Sequence, residues 1–205
     1  MIVGILAVQG DVPEHRAAVD RLGRPFESRL VRRPEALADL DALLMPGGES
    51  TTMARLLRED GLWGPLDDRL RAGLPVLATC AGLILLAREV EAGEGPPPPP
   101  TFGRLDVVVR RNDYGRQRES FEAPVAVEGL GGSAFPGVFI RAPRILRRGP
   151  GAATLARRGS EVVGVRDGAA WGLSFHPELS GDDRLLRAFL LGAATRPGRG
   201  RSPSA

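Results

Sequence analysis

The chain has 205 residues, 42% of them hydrophobic, and a formal net charge of +3. That length suits one well-buried domain and is short for two, and the apolar content excludes a disordered chain. All 28 basic residues are arginines scattered along the sequence, which argues against a nucleic-acid interface; no run approaches the roughly 20 apolar residues of a membrane-spanning helix, and one cysteine precludes an internal disulfide, as suits a reducing cytoplasm.

The N-terminus lacks the basic flank and cleavage site of a signal peptide and reads as a first core strand over 2–8. Strand-like runs over 2–8, 26–31, 42–45 and 76–79 alternate with helix-like segments over 14–22, 52–57 and 66–72. The apolar stretch 83–90 contains neither Pro nor Gly and predicts a helix. Further strand-like runs follow over 105–110, 124–127, 138–141, 161–166 and 170–175, and a helix over 182–191 closes the pattern. Such alternation predicts an α/β fold, an open and mostly parallel sheet with helices on both faces. One domain is expected over 1–194, carrying a stiff proline-rich surface loop at 95–100, with a disordered Arg/Gly/Ser/Pro tail over 195–205. A proline-rich docking motif is the alternative for that loop. Glu14 and His15 are assigned to the exposed face of the first helix, with no catalytic role, and Arg32 and Arg33 to a solvated pair.

Three motifs carry chemistry. Cys80 lies in Ala78-Thr79-Cys80-Ala81-Gly82, between a strand-like and a helix-like run, with small residues two positions either side. That is the steric pattern of a nucleophile elbow, and a following helix would favour the thiolate; an inert buried cysteine fits the same surroundings. In Phe175-His176-Pro177-Glu178 a strand runs into a proline stop, so one turn offers both a base and a carboxylate to orient it, although a surface histidine beside a capping glutamate would look alike. In Pro46-Gly47-Gly48-Glu49-Ser50 a strand opens into paired glycines suited to presenting backbone N–H groups, as they are in many ordinary turns. All three motifs fall at strand C-termini, where ligands gather in open α/β sheets.

Taken in order, these motifs resemble a class I (triad) glutamine amidotransferase. The longer segments Ala7-Val8-Gln9-Gly10-Asp11, Pro46-Gly47-Gly48-Glu49-Ser50-Thr51-Thr52-Met53, Thr79-Cys80-Ala81-Gly82-Leu83-Ile84, Arg111-Asn112-Asp113-Tyr114-Gly115-Arg116-Gln117, Phe139-Ile140-Arg141-Ala142-Pro143 and Ser174-Phe175-His176-Pro177-Glu178-Leu179 are similar to the glutaminase subunits of pyridoxal 5'-phosphate synthase, over nearly the whole chain to about residue 194. Asp113-Tyr114 departs from that pattern, where a small residue and Phe are expected.

The resemblance implies a flavodoxin-like three-layer fold and a triad of Cys80, His176 and Glu178. It implies that Gly48, Glu49, Ser50, Arg111, Ile140 and Arg141 hold L-glutamine, and that the N–H groups of Gly48 and Ala81 form the oxyanion hole. The ammonia would pass to a separate (β/α)8-barrel synthase subunit. Neither a metal nor a cofactor is expected, since both histidines and the cysteine have other assignments. A cysteine hydrolase of the same superfamily acting on another substrate, and a regulatory descendant without activity, are the competing readings; the second conflicts with an intact Cys80, His176 and Glu178.

Overall fold

In the run Ala42–Met45 every side chain is buried, and the same holds for Val76–Thr79. Strands without a polar face must be covered on both sides, which is the signature of a parallel sheet between helical layers. The computed structural model describes residues 1–92, 97–111 and 120–195. Its elements are β1 (Ile2–Leu6), α1 (Val12–Leu22), β2 (Glu27–Val31), β3 (Ala42–Met45), α2 (Ser50–Glu59), α3 (Trp63–Arg71), β4 (Val76–Thr79), α4 (Ala81–Leu86), β5 (Ala87–Glu91) and β6 (Leu105–Arg110). There follow β7 (Phe121–Val127), β8 (Phe135–Phe139), β9 (Arg144–Arg148), β10 (Ala153–Arg158), β11 (Glu161–Asp167), β12 (Ala170–Leu173) and α5 (Arg184–Ala194).

Among the described residues nine strands form one sheet in the order β2-β1-β3-β4-β12-β11-β10-β7-β8, and β5-β6-β9 form a second. The first five strands of the large sheet pair in parallel, while β11, β10, β7 and β8 continue it antiparallel. Side chains alternate across the parallel half as the period of two requires. Leu43, Met45, Val76 and Ala78 join the cluster packed by α2, α3 and α4, whereas Ala42, Leu44 and Leu77 join Ala18, Val19 and Leu22 of α1 and Leu185, Phe189 and Leu190 of α5. The result is the expected three-layer α/β architecture.

The differences from the sequence pattern are local. The helix expected over 83–90 stops at Leu86, and Ala87–Glu91 instead pairs in parallel with β6, Ala87 opposite Leu105. An unbroken apolar run fits a buried helix or a buried strand equally well, and here the partner strand decides. Strands β9 and β10 were not expected, because Arg-rich segments such as Arg144–Arg148 carry little β preference of their own. Their edges are held by ion pairs: Glu161 accepts from Arg144 at 2.9 Å and from Arg158 at 2.7 Å. The strand expected over 138–141 spans Phe135–Phe139, and Arg141 lies beyond it at φ 44. Residues 97–100 form neither helix nor strand; Pro99 is buried, so the loop is not wholly on the surface. Residues 95–96, Asp113-Tyr114 and the tail from 196 onward lie outside the described residues.

Leu44 is fully buried in the centre of the parallel sheet. Leu44→Ala is expected to cost about 2–5 kcal/mol, read as a lower urea midpoint at unchanged denaturant slope.

Candidate active site

Four neighbouring parallel strands, β1, β3, β4 and β12, end at the same edge of the sheet. Beyond them lie Asp11, Gly47 and Gly48, Cys80, and His176, so register alone gathers residues distant in sequence. Cys80 joins β4 to α4 at φ 47 and ψ −103, a conformation that non-glycine residues rarely adopt. Two contacts hold it there. Its N–H donates to the carbonyl of Leu173, at the end of β12, at 2.9 Å. At Gly82 an added Cβ would collide with the Met45 carbonyl oxygen, so the helix can lie this close to β3 only with glycine at that position. The thiol is buried, 3.9 Å from the carbonyl of Ile140.

The His176 N–H donates to the carbonyl of Val138 at 2.8 Å, which ties the end of β12 to β8. Pro177 then opens a short 3-10 turn, Pro177–Leu179. The turn returns Glu178 to the ring: Nδ1 of His176 donates to Oε1 at 2.8 Å. Nε2 is buried and makes no hydrogen bond of ordinary geometry among the described residues, although the neighbouring Cys80 sulfur helps to hold the ring charged. Burial opposes that charge, but the acceptors gathered around the ring, Asp11, Cys80 and Glu178, outweigh it, so His176 is pushed up to about 12. Because this lies above the ordinary histidine value, the stabilisation from the charged ring is complete below about 6.5 and is lost as pH rises toward about 12.

The glycine loop is fixed from the β1–α1 loop. Asp11 N–H donates to the Gly47 carbonyl at 3.1 Å, and Glu49 N–H donates to the Gln9 side-chain oxygen at 2.8 Å. A Cβ on Gly10 would strike the Gly47 carbonyl oxygen. Glu49 caps α2, accepting from the N–H groups of Thr51 at 3.2 Å and Thr52 at 2.6 Å. Burial raises its pKa, but these bonds prevail and hold the carboxyl below its usual range. Arg111 follows β6 and donates to the Thr51 hydroxyl at 3.2 Å.

These elements enclose a cavity of about 320 Å³ lined by Asp11, Gly48, Glu49, Ser50, Cys80, Ile84, Arg111, Ile140, Arg141 and His176. All six residues expected to hold substrate lie on it, with the expected nucleophile and base. Ala81 and Glu178 do not line it: Ala81 is buried at the start of α4, and Glu178 lies behind the ring of His176.

One residue was given no role from the sequence and another was read differently. Asp11 lines the cavity and sits 3.2 Å from Nδ1 of His176, a place for which only its position after the first parallel strand gave a signal. His15 is not exposed; it is buried, with Nδ1 2.9 Å from the Asp11 carbonyl and Nε2 3.7 Å from Oε2 of Glu178. The signal was present in the spacing of His15, Ala18, Val19 and Leu22, which places all four on the inner face of α1.

The fold is that of the glutamine amidotransferases. It superposes on a crystal structure of a glutamine amidotransferase with a TM-score of 0.86 and 48% identity, covering 95% of this chain and all of that one. The structure of PurLQS from Thermotoga maritima shares the fold at TM-score 0.65 and 15% identity, over 94% of this chain and 98% of that one. The chain belongs to the SNO glutamine amidotransferase family, which it matches over residues 5–194. It is 51% identical to a pyridoxal 5'-phosphate synthase subunit PdxT of Deinococcus radiodurans, over 93% of this chain and 96% of the relative. Identity to a PdxT of Streptomyces avermitilis is 48%, over 92% of each chain.

The opposite surroundings of two glycines give a stability test. Gly82→Ala is expected to cost about 1–3 kcal/mol through the Met45 contact. Gly192→Ala, in α5 with nothing near the added methyl, should gain about 0.5–1 kcal/mol. Each kcal/mol moves the melting temperature by about 2–4 °C, so calorimetry should move the two variants in opposite directions.

Proposed function

We propose that this chain hydrolyses L-glutamine to glutamate and ammonia and delivers the ammonia to a separate (β/α)8-barrel subunit that makes pyridoxal 5'-phosphate. The observation that carries the reading is the single cavity onto which Cys80, His176 and all six expected glutamine-holding residues open. The names of the relatives support the synthase as partner and vitamin B6 formation as destination.

In this reading the Cys80 thiolate attacks the carboxamide carbon, and the imidazolium of His176 gives its Nε2 proton to the departing ammonia. A water deprotonated by His176 then hydrolyses the thioester, releasing glutamate and regenerating the thiolate. Glu178 orients the ring and balances its charge. Arg111 or Arg141 takes the α-carboxylate of the substrate, while Glu49, Ser50 and Ile140 complete its enclosure. The N–H groups of Gly48 and Ala81 receive the oxyanion; that of Ala81, first in its helix, has no intrahelical carbonyl within reach. A hydrolase for peptides or aldehydes would have little use for two arginines lining the cavity.

Among the described residues no helix is long and apolar enough to cross a membrane, which is compatible with the cytoplasmic site expected for this chemistry. Full activity requires the partner. The Gly47 carbonyl is held by Asp11 N–H, and in a trans peptide the N–H of Gly48 points the opposite way. Turning that N–H over means breaking the Asp11 bond, and losing one oxyanion donor typically costs a hundred- to thousandfold in rate. Docking of the synthase at the Gln9-Gly10-Asp11 segment provides the trigger.

Cys80→Ala should lower glutamate release at least about a thousandfold with the fold retained; turnover at the parent rate would overturn the nucleophile. Purified alone, the chain is expected to release glutamate slowly and to gain about a hundredfold or more when the cognate synthase subunit is added. Equal rates with and without the synthase would overturn the partner requirement and favour a free-standing hydrolase.

A further inference from the structure

The chain contains only two histidines, and both are buried in one network. Nδ1 of His176 faces two carboxylates, Glu178 Oε1 at 2.8 Å and Asp11 Oδ2 at 3.2 Å. An imidazole carries one hydrogen there; it is bonded to Glu178, and the Asp11 carboxylate lies beside the same nitrogen as an ion-pair contact. Cys80 faces the ring from the elbow, and Glu49, Arg111 and Arg141 line the cavity in front of it. On the far side of Glu178 is His15 of α1, 3.7 Å from Oε2.

The two acids are held differently. The Glu178 side chain is 2% exposed and fixed in the proline turn. That of Asp11 is 34% exposed, makes the longer contact, and lines the cavity itself. We infer that Asp11 is a positioning residue that shares the Nδ1 proton of His176 with Glu178 and, as the displaceable acid of the pair, sets how tightly the base holds its charge. The inference rests on His176 being the base of the proposed glutaminase.

The chemistry requires such a control. A general base works best when its pKa lies near the operating pH, and one carboxylate is enough to orient the ring. A second carboxylate fixes the imidazolium more firmly than thioester hydrolysis can use, and the direction of the His176 shift agrees. An ammonium group entering the cavity offers Asp11 another cation. Once its carboxylate turns to that cation, the base is left with Glu178 alone, so substrate binding itself loosens the proton.

With two histidines, the imidazole signals of the full-length chain are few enough to titrate by NMR, and His15→Asn assigns them. Asp11→Asn keeps the size of the side chain and the backbone N–H to Gly47. It should lower the His176 midpoint by about 1–3 pH units, the effect of one opposite charge at this range. Glu178→Gln should leave the midpoint above that of the double variant, which is expected to fall to about 6.5 or below. In the synthase-activated enzyme the pH limb of kcat should move the same way in Asp11→Asn. An Asp11→Asn midpoint equal to the parent's, or a double variant titrating with Glu178→Gln, overturns the inference, as does lost activity without a shift. If the parent does not hydrolyse glutamine, the glutaminase reading fails, yet the titration still decides whether Asp11 holds the ring.

Discussion

The site depends on backbones that approach until only glycine fits between them. The start of α4 lies on the Met45 carbonyl through Gly82, and the β1–α1 loop lies on the Gly47 carbonyl through Gly10. The first contact lets Cys80 keep its left-handed conformation, because α4 cannot withdraw from β3 without opening the core around Met45 and Leu83. The second locks the glycine loop to the segment that also carries Asp11. Strain at one residue is thus supported by packing at several others.

The electrostatics follow from that crowding. Within one patch lie a buried thiol, two buried imidazoles and the buried carboxylate of Glu178, with the partly exposed carboxylate of Asp11 at its edge. Low polarity strengthens each hydrogen bond there and makes an unpaired charge costly. His176 gathers partners on Nδ1, while Nε2 has no hydrogen-bond partner among the described residues. That asymmetry gives the ring a fixed tautomer and one free position for proton transfer. In front of it the cavity carries charges of both signs, Asp11 and Glu49 against Arg111 and Arg141, which suits a zwitterionic substrate better than a neutral one.

Much of the fold was legible in the sequence. The all-apolar runs of β3 and β4, the turn glycines between them, and the alternation with amphipathic helices predict a doubly covered parallel sheet. The runs that misled were those whose residues do not choose. Ala87–Glu91 followed a helix without a breaker and became a strand because β6 supplied partners for its backbone. The Arg-rich β9 and β10 became strands through pairing with β6 and β11 and through the ion pairs of Glu161. His15 was misplaced although the spacing of its buried neighbours was there to be counted.

By itself the sequence determined the chemical groups and their order along the chain. The elbow glycine, the proline after His176 and the paired glycines each have a local steric meaning that survives without coordinates. Only the tertiary structure decided which groups meet at one ring nitrogen. That Asp11 reaches the same ring nitrogen as Glu178, and that His15 stands behind Glu178, follows from the register of β1, β3, β4 and β12 and from the pitch of α1. Distances of about 3 Å between residues more than 150 positions apart are set by how strands and helices pack, and no local pattern encodes them.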